Sequence, residues 1–169
     1  RGDGRLLWRK SVEYATKEPT HRTNPYSSAS PVTDGKHVIV SHASAGVICY
    51  DLEGKEMWWR DLGVQEHIWG NAASPVIYQN LCFLNFGPGK RTFLIALNLK
   101  DGKTAWQHDE AGGESGIAKN GQRGKWVGSW ATPILIDGKR GDELLMSYPN
   151  RVVAFDPLQG KEIWSCHGL

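Results

Sequence analysis

The chain of 169 residues is 40% hydrophobic, holds 20 glycines and eight tryptophans, and carries a formal charge of +2. Its 20 Lys and Arg are scattered among 18 Asp and Glu, so no basic face argues for nucleic acid. No apolar stretch is long enough to span a membrane, no signal peptide opens the sequence, and no long amphipathic helical pattern occurs.

In chain order, the first element is a leftover outer strand over residues 5–12, preceded by Gly4 and carrying Leu6-Leu7-Trp8. Residues 14–26 are polar and carry Pro19 and Pro25, hence a loop. A unit then recurs. Each copy begins with small residues ahead of a proline: Ser28-Ala29-Ser30-Pro31-Val32, Ala72-Ala73-Ser74-Pro75-Val76 and Trp130-Ala131-Thr132-Pro133-Ile134. That composition suits the start of a crowded strand. A turn leads into a second strand, through Asp34-Gly35-Lys36 to residues 37–41, through Tyr78-Gln79-Asn80 to 81–85, and through 137–142 to 143–147. The third strands, 47–50, 92–97 and 152–155, end in Asp or Asn and pass through Gly to an outer strand bearing Trp.

That last hairpin is the skeleton of the repeat. Cys49-Tyr50-Asp51…Gly54-Lys55…Trp58 matches Ala96-Leu97-Asn98…Gly102-Lys103…Trp106 and Ala154-Phe155-Asp156…Gly160-Lys161…Trp164, and Gly4 to Trp8 is a partial fourth copy. Asp or Asn bonds the backbone ahead and Gly takes positive φ, so the turn closes without strain. The following Lys keeps an outer strand from pairing with strangers. A Trp at one fixed offset has a large ring to bury and an N–H to satisfy, which suits contact between successive sheets. Trp8, Trp58, Trp106 and Trp164 stand 50, 48 and 58 residues apart. Four short strands with their turns fill about 40–50 residues, the period of a β-propeller blade.

The Ala-x-Asp-x-x-x-Gly-Lys-x-x-Trp pattern, complete from Ala154 to Trp164 and with Asn98 for Asp in the second unit, resembles the tryptophan-docking repeat of the pyrroloquinoline-quinone (PQQ) type propellers. The first unit departs from it, with Cys49 for Ala and a turn one residue shorter. The resemblance implies an all-β propeller of four-stranded antiparallel blades, here about three blades and one leftover outer strand of a larger ring. The expected division is 1–12 (outer strand of a preceding blade), 28–63, 71–110, a Gly-rich inter-blade insertion at 111–129, and 130–169. The family includes quinoprotein alcohol and sugar dehydrogenases and cofactor-free members such as the BamB-type outer-membrane assembly lipoprotein, so the motif identifies the fold more than the activity.

The resemblance implies export to the periplasm or beyond, and the leading expectation is a non-catalytic binding or assembly platform within a longer protein. A protein partner or small ligand is expected on the propeller rim, with further blades of the same chain or self-association at the ends. One alternative is a PQQ- and calcium-dependent dehydrogenase, for which the resemblance implies an adjacent Cys pair, calcium held by Glu, Asn and Asp, and a catalytic Asp. No Cys-Cys occurs among Cys49, Cys82 and Cys166, and PQQ with calcium belongs to that alternative alone. Another is a ligand-sensing propeller of a signalling protein.

Up-and-down strands put alternate loops on one rim, where binding concentrates on loops held by a rigid scaffold. The candidate contacts there are Glu66, His67, Trp69, Asn71, Trp126 and Trp130 from the loops entering inner strands, and the first such loop supplies His21, Arg22, Asn24 and Tyr26. His42, Arg91 and Tyr148 join them from the turns between second and third strands. Metal spacing is absent: no His-x-x-x-His or Cys-x-x-Cys occurs, and Cys166-His167 lacks the first Cys of a haem motif because Ile163 stands there. The run at 111–129 fails the phosphate-loop spacing, since Trp126 follows Gly124-Lys125.

Overall fold

The computed structural model describes residues 2–18, 21–24, 26, 28–65, 67, 69–110, 128–139 and 141–168. Its strands are β1 (Val32–Thr33), β2 (His37–Ser41), β3 (Val47–Asp51), β4 (Glu56–Arg60), β5 (Val76–Tyr78), β6 (Leu81–Phe86), β7 (Thr92–Asn98), β8 (Thr104–Glu110), β9 (Ile134–Gly138), β10 (Gly141–Tyr148), β11 (Arg151–Phe155) and β12 (Glu162–His167). They make three four-stranded antiparallel meanders, β1–β4, β5–β8 and β9–β12. The architecture is all-β and blade-like, as the repeat predicts.

The hairpin between third and outer strand shows why the repeat is written as it is. Asp51 Oδ1 accepts the amides of Glu53 and Lys55 at 3.0 and 2.8 Å, and Asp156 Oδ1 those of Leu158 and Gln159 at 2.8 and 2.9 Å. In the shorter first turn the Gly54 amide reaches Asp51 O, three residues back, whereas Gly102 and Gly160 reach Asn98 O and Asp156 O, four back. Each ladder then slips at one place, after Cys49, Ala96 and Ala154. Those small residues are the cross-strand partners of Trp58, Trp106 and Trp164. A small side chain on the neighbouring strand leaves the indole room to lie over the sheet.

The sheets pack face to face. Ile39, Val47, Cys49 and Trp58 of the first meet Cys82, Leu84, Phe86, Phe93, Ile95 and Leu97 of the second. The opposite face of the second, with Phe83, Leu94 and Ala96, meets Leu144, Met146, Val153 and Phe155 of the third. Covered on both sides, β6 is buried from Leu81 to Phe86, and its sequence reads as a continuous apolar run broken only by Asn85.

Residues 5–12, expected as an outer strand, enter no sheet; no strand among the described residues pairs with them. A strand exists only through its ladder, so this stretch is held by side chains, above all Trp8 against Tyr50, ring centroids 5.7 Å apart.

Candidate functional site

Three tryptophans sit in a common kind of seat. The turn glycine of the following sheet has positive φ and turns its bare Cα to the indole: a Cβ at Gly54 would lie 2.7 Å from the Trp8 ring and one at Gly102 2.6 Å from Trp58, while Gly160 stands in the same relation to Trp106. Each indole N–H then donates to a carbonyl of that turn, Trp8 to Leu52 at 2.9 Å, Trp58 to Leu99 at 2.7 Å and Trp106 to Pro157 at 2.9 Å. Trp164 differs from the expectation of equivalent, buried sites: it is 36% exposed and donates to Glu143 Oε2 of its own sheet at 2.8 Å. No sheet lies in front of it among the described residues, so it has no turn carbonyl to reach.

A second series of bonds links the strand starts. The Ser30 amide donates to Ser74 Oγ at 2.9 Å, and the Ser74 amide to Thr132 Oγ1 at 3.0 Å. The hydroxyls of Ser74 and Thr132, each before a proline, thus receive the amide of the same position one sheet earlier, a role that the recurring Ser-Pro and Thr-Pro signalled without revealing.

On the rim, the loop 61–75 is stitched to its neighbours. The Gln65 amide donates to Ser44 Oγ (2.9 Å), Gln65 Nε2 to Pro88 O (3.3 Å) and Asn71 Nδ2 to Gln65 Oε1 (2.7 Å). Arg91 Nη1 donates to Leu62 O (2.9 Å), and Asn85 Nδ2 to Ser129 O and Ala131 O (2.6 and 3.2 Å). Gln65 and Asn71 are buried and spend their polar atoms holding loops in place.

Above these brackets, three loops converge on aromatic rings. His21 lies against Trp69 with centroids 4.7 Å apart, and Asn24 Nδ2 donates to Trp69 O. The Trp69 amide donates to His67 Nδ1 at 3.1 Å, which puts the proton of the neutral imidazole on Nε2. Burial lowers the His67 pKa below its ordinary 6.5, so the neutral form is the one present at neutral pH. The ring stands edge-on to Trp130, centroids 5.0 Å apart, and Trp130 Nε1 donates to Gly70 O at 3.1 Å. Trp69 and Trp130 remain 42% and 36% exposed, and Tyr26 is exposed as well.

The structure therefore gathers His67, Trp69 and Trp130, with His21 and Asn24, and sets the other candidates apart. Asn71 is a bracket beneath the cluster. Arg91 covers Phe86 and Phe93, its guanidinium 5.6 and 5.3 Å from their rings, beside a hollow of about 360 Å³ lined by Val64, Gln65, Gly89, Lys90 and Arg91. Tyr148 is buried under Arg151, which pairs with Glu110; burial, then the Glu110 charge, pushes its phenol well above the ordinary range. His42 is half-buried ahead of the short 3₁₀ turn Ala43–Ala45, and burial lowers its pKa. Glu66 and Trp126 lie outside the described residues. Among the described residues no three His, Cys, Asp or Glu side chains are grouped to hold a metal ion. Glu143 was missed; alignment of the repeats flags it, because Leu81 occupies its position in the second sheet.

The family model described as outer membrane protein assembly factor BamB matches residues 1–167. The BamB protein of Kangiella koreensis is 25% identical over 150 residues, 85% of this chain and 32% of that protein. Among solved structures, BamB from Moraxella catarrhalis aligns with a TM-score of 0.57 and 20% identity over 84% of this chain and 38% of its own. The quinohemoprotein alcohol dehydrogenase from Comamonas testosteroni aligns with a TM-score of 0.59 and 17% identity, covering 86% and 21%. At such identities these structures show the shared fold alone. The chain spans about a third of the length of the curated relative it matches. With the family model covering nearly every residue, the chain belongs to the PQQ-like propeller family of outer membrane protein assembly factor BamB.

Proposed function

We propose that the chain is a non-catalytic binding platform of an exported assembly factor, and that it meets a protein partner through the rim cluster of Trp69, Trp130 and His21. The observation that carries this reading is the use of the rim's polar groups. Gln65, Asn71, Asn85 and Arg91 bond to loop backbone and to one another, while the indoles of Trp69 and Trp130 stay open to solvent. Rigid loops presenting amphipathic aromatics suit a protein surface, since Trp offers large area at small entropic cost. The matched family and its relatives carry the description of an outer-membrane assembly factor, which accords with a protein partner in the periplasm.

The test is photo-crosslinking from position 69 or 130, with position 57 on outer strand β4 as control. Discrete protein adducts are expected from the rim; adducts from position 57 with none from the rim would sink the reading. The chain with PQQ, calcium and an acceptor dye should not oxidise alcohols or aldoses, and robust quinone-dependent turnover would favour the dehydrogenase alternative instead.

A further inference from the structure

Beside the aromatic cluster, one cation of the same rim is fixed in place with donors to spare. Arg91 Nη1 donates to Leu62 O at 2.9 Å, and the guanidinium lies 5.6 and 5.3 Å from the rings of Phe86 and Phe93, which are buried and stacked with centroids 4.7 Å apart. Gly63 makes this placement possible. Its φ is +85°, and a Cβ there would stand 2.6 Å from Arg91 Nη1. A guanidinium has five N–H donors, and among the described residues Leu62 O is the one acceptor that Arg91 meets.

The hollow of about 360 Å³ lined by Val64, Gln65, Gly89, Lys90 and Arg91 opens next to that guanidinium, between the first and second sheets. Its walls are fixed, because the Gln65 amide bonds Ser44 Oγ and the Gln65 side chain bonds Pro88 O. The described carboxylate of this loop, Asp61, accepts the Gly63 amide at 2.7 Å, so it serves the turn that presents Gly63 to Arg91.

Building on the rim as a partner surface, we infer that this hollow takes a carboxylate, an Asp or Glu side chain carried on the same partner segment that covers Trp69 and Trp130. Charge decides the class. The guanidinium fork can give a carboxylate two parallel N–H bonds, whereas an amide offers one acceptor oxygen and a cation is repelled. An exposed ion pair is ordinarily weakened by the entropy of holding two long side chains in one geometry. Arg91 is pinned beforehand by Leu62 and the two rings, so most of its share of that cost is already met within the fold. Reach fits as well: Gln65 at the hollow and Trp69 in the cluster are four residues apart on one loop, a span of at most about 14 Å, which about five residues of extended partner chain would cover.

The experiment is fluorescence anisotropy of two fluorescein-labelled peptides, Glu-Gly-Gly-Gly-Phe and Gln-Gly-Gly-Gly-Phe, with the full chain and with Arg91→Gln and Trp69→Ala. The Glu peptide should bind about three- to tenfold tighter than the Gln peptide, an advantage that shrinks in about 1 M salt. In Arg91→Gln the advantage should vanish while the Gln peptide binds as before, and Trp69→Ala should weaken both peptides alike. The two-peptide comparison on the unmutated chain needs no variant to fold. An advantage absent there, or surviving in Arg91→Gln, overturns the inference; if both peptides still lose affinity in Trp69→Ala, the partner surface on the rim stands without it. Failure of either peptide to bind at about 10 mM also overturns the carboxylate hollow, and crosslinking from positions 69 and 130 then judges the rim by itself.

Discussion

Trp58 and Trp164 occupy the same position in the repeat and live in different surroundings. Trp58 is 8% exposed, lies on Gly102 and bonds Leu99 O; Trp164 is 36% exposed and bonds a carboxylate of its own sheet. Both face a small cross-strand partner, Cys49 and Ala154, so the difference does not come from their own hairpins. It comes from the next sheet, whose turn supplies the glycine floor and the carbonyl. Docking is therefore a property of pairs of sheets, and a Trp in the motif is only half of it.

Truncation should separate the two tryptophans most. Trp58→Ala should cost about 3–5 kcal/mol, the loss from emptying a buried aromatic site, whereas Trp164→Ala should cost less, about 1.5–3 kcal/mol, the size of a hydrogen bond to a carboxylate. Urea unfolding of the two variants measures this, and equal losses would mean the seat contributes nothing. Attacking the seat instead of the ring should come next. Gly102→Ala places a Cβ 2.6 Å from Trp58 at a positive φ, and overpacking of this kind costs about 1–3 kcal/mol before the left-handed backbone adds its share. The same change at Gly35, in the β1–β2 turn at a φ of +87° with nothing within 4 Å, approximates the backbone part alone.

Cysteine labelling sharpens the contrast between covered and open sheets without disturbing either. Cys82 is fully buried in the doubly covered sheet and burial pushes its thiol up to about 12; burial, with Asp34 and Asp51 adding, takes Cys49 to about 11. Cys166 on β12 is exposed. At mildly alkaline pH a thiol reagent should modify Cys166 and spare the other two until the protein unfolds, as mass spectrometry would show.

The smallest effect belongs to the β1–β2 turn. Partial burial would raise the Asp34 carboxyl, but the amides of His37 and Lys36 and the His37 ring outweigh it and hold the pKa at about 2, below its ordinary 3.8. A depressed folded pKa stabilises above 3.8 and loses that contribution as pH falls toward 2. The stability difference between wild type and Asp34→Asn should accordingly shrink over that window, and a difference that stays constant would mean the turn carboxylate does not titrate as described.

Much of the fold was legible because its rules are local. Asn98 and Asp156 each precede a turn Gly by four residues and Asp51 by three, and that one-residue deletion before Gly54 predicts the tighter turn that forms. The rim was legible only as a set of loops. Strand alternation puts Trp69, Trp130, Arg91 and Tyr148 on one side, but which of them touch depends on loop paths, and these follow bonds such as Gln65 to Ser44 and Asn85 to Ser129, between residues 21 and 44 positions apart. Polar loop residues look alike in a sequence whether they bracket a loop or face a partner.

By itself the sequence determined the strand order, the turn chemistry and the period of the tryptophans, because hairpin geometry depends on neighbours a few residues away. Tertiary structure decided what those tryptophans became. Trp8, outside any sheet, is seated because Gly54 and the Leu52 carbonyl stand before it, and Trp164, on a complete sheet, turns to Glu143 because no such turn stands before it among the described residues. An indole N–H takes the acceptor within reach, and reach is set by sheets packed some 40–50 residues apart along the chain.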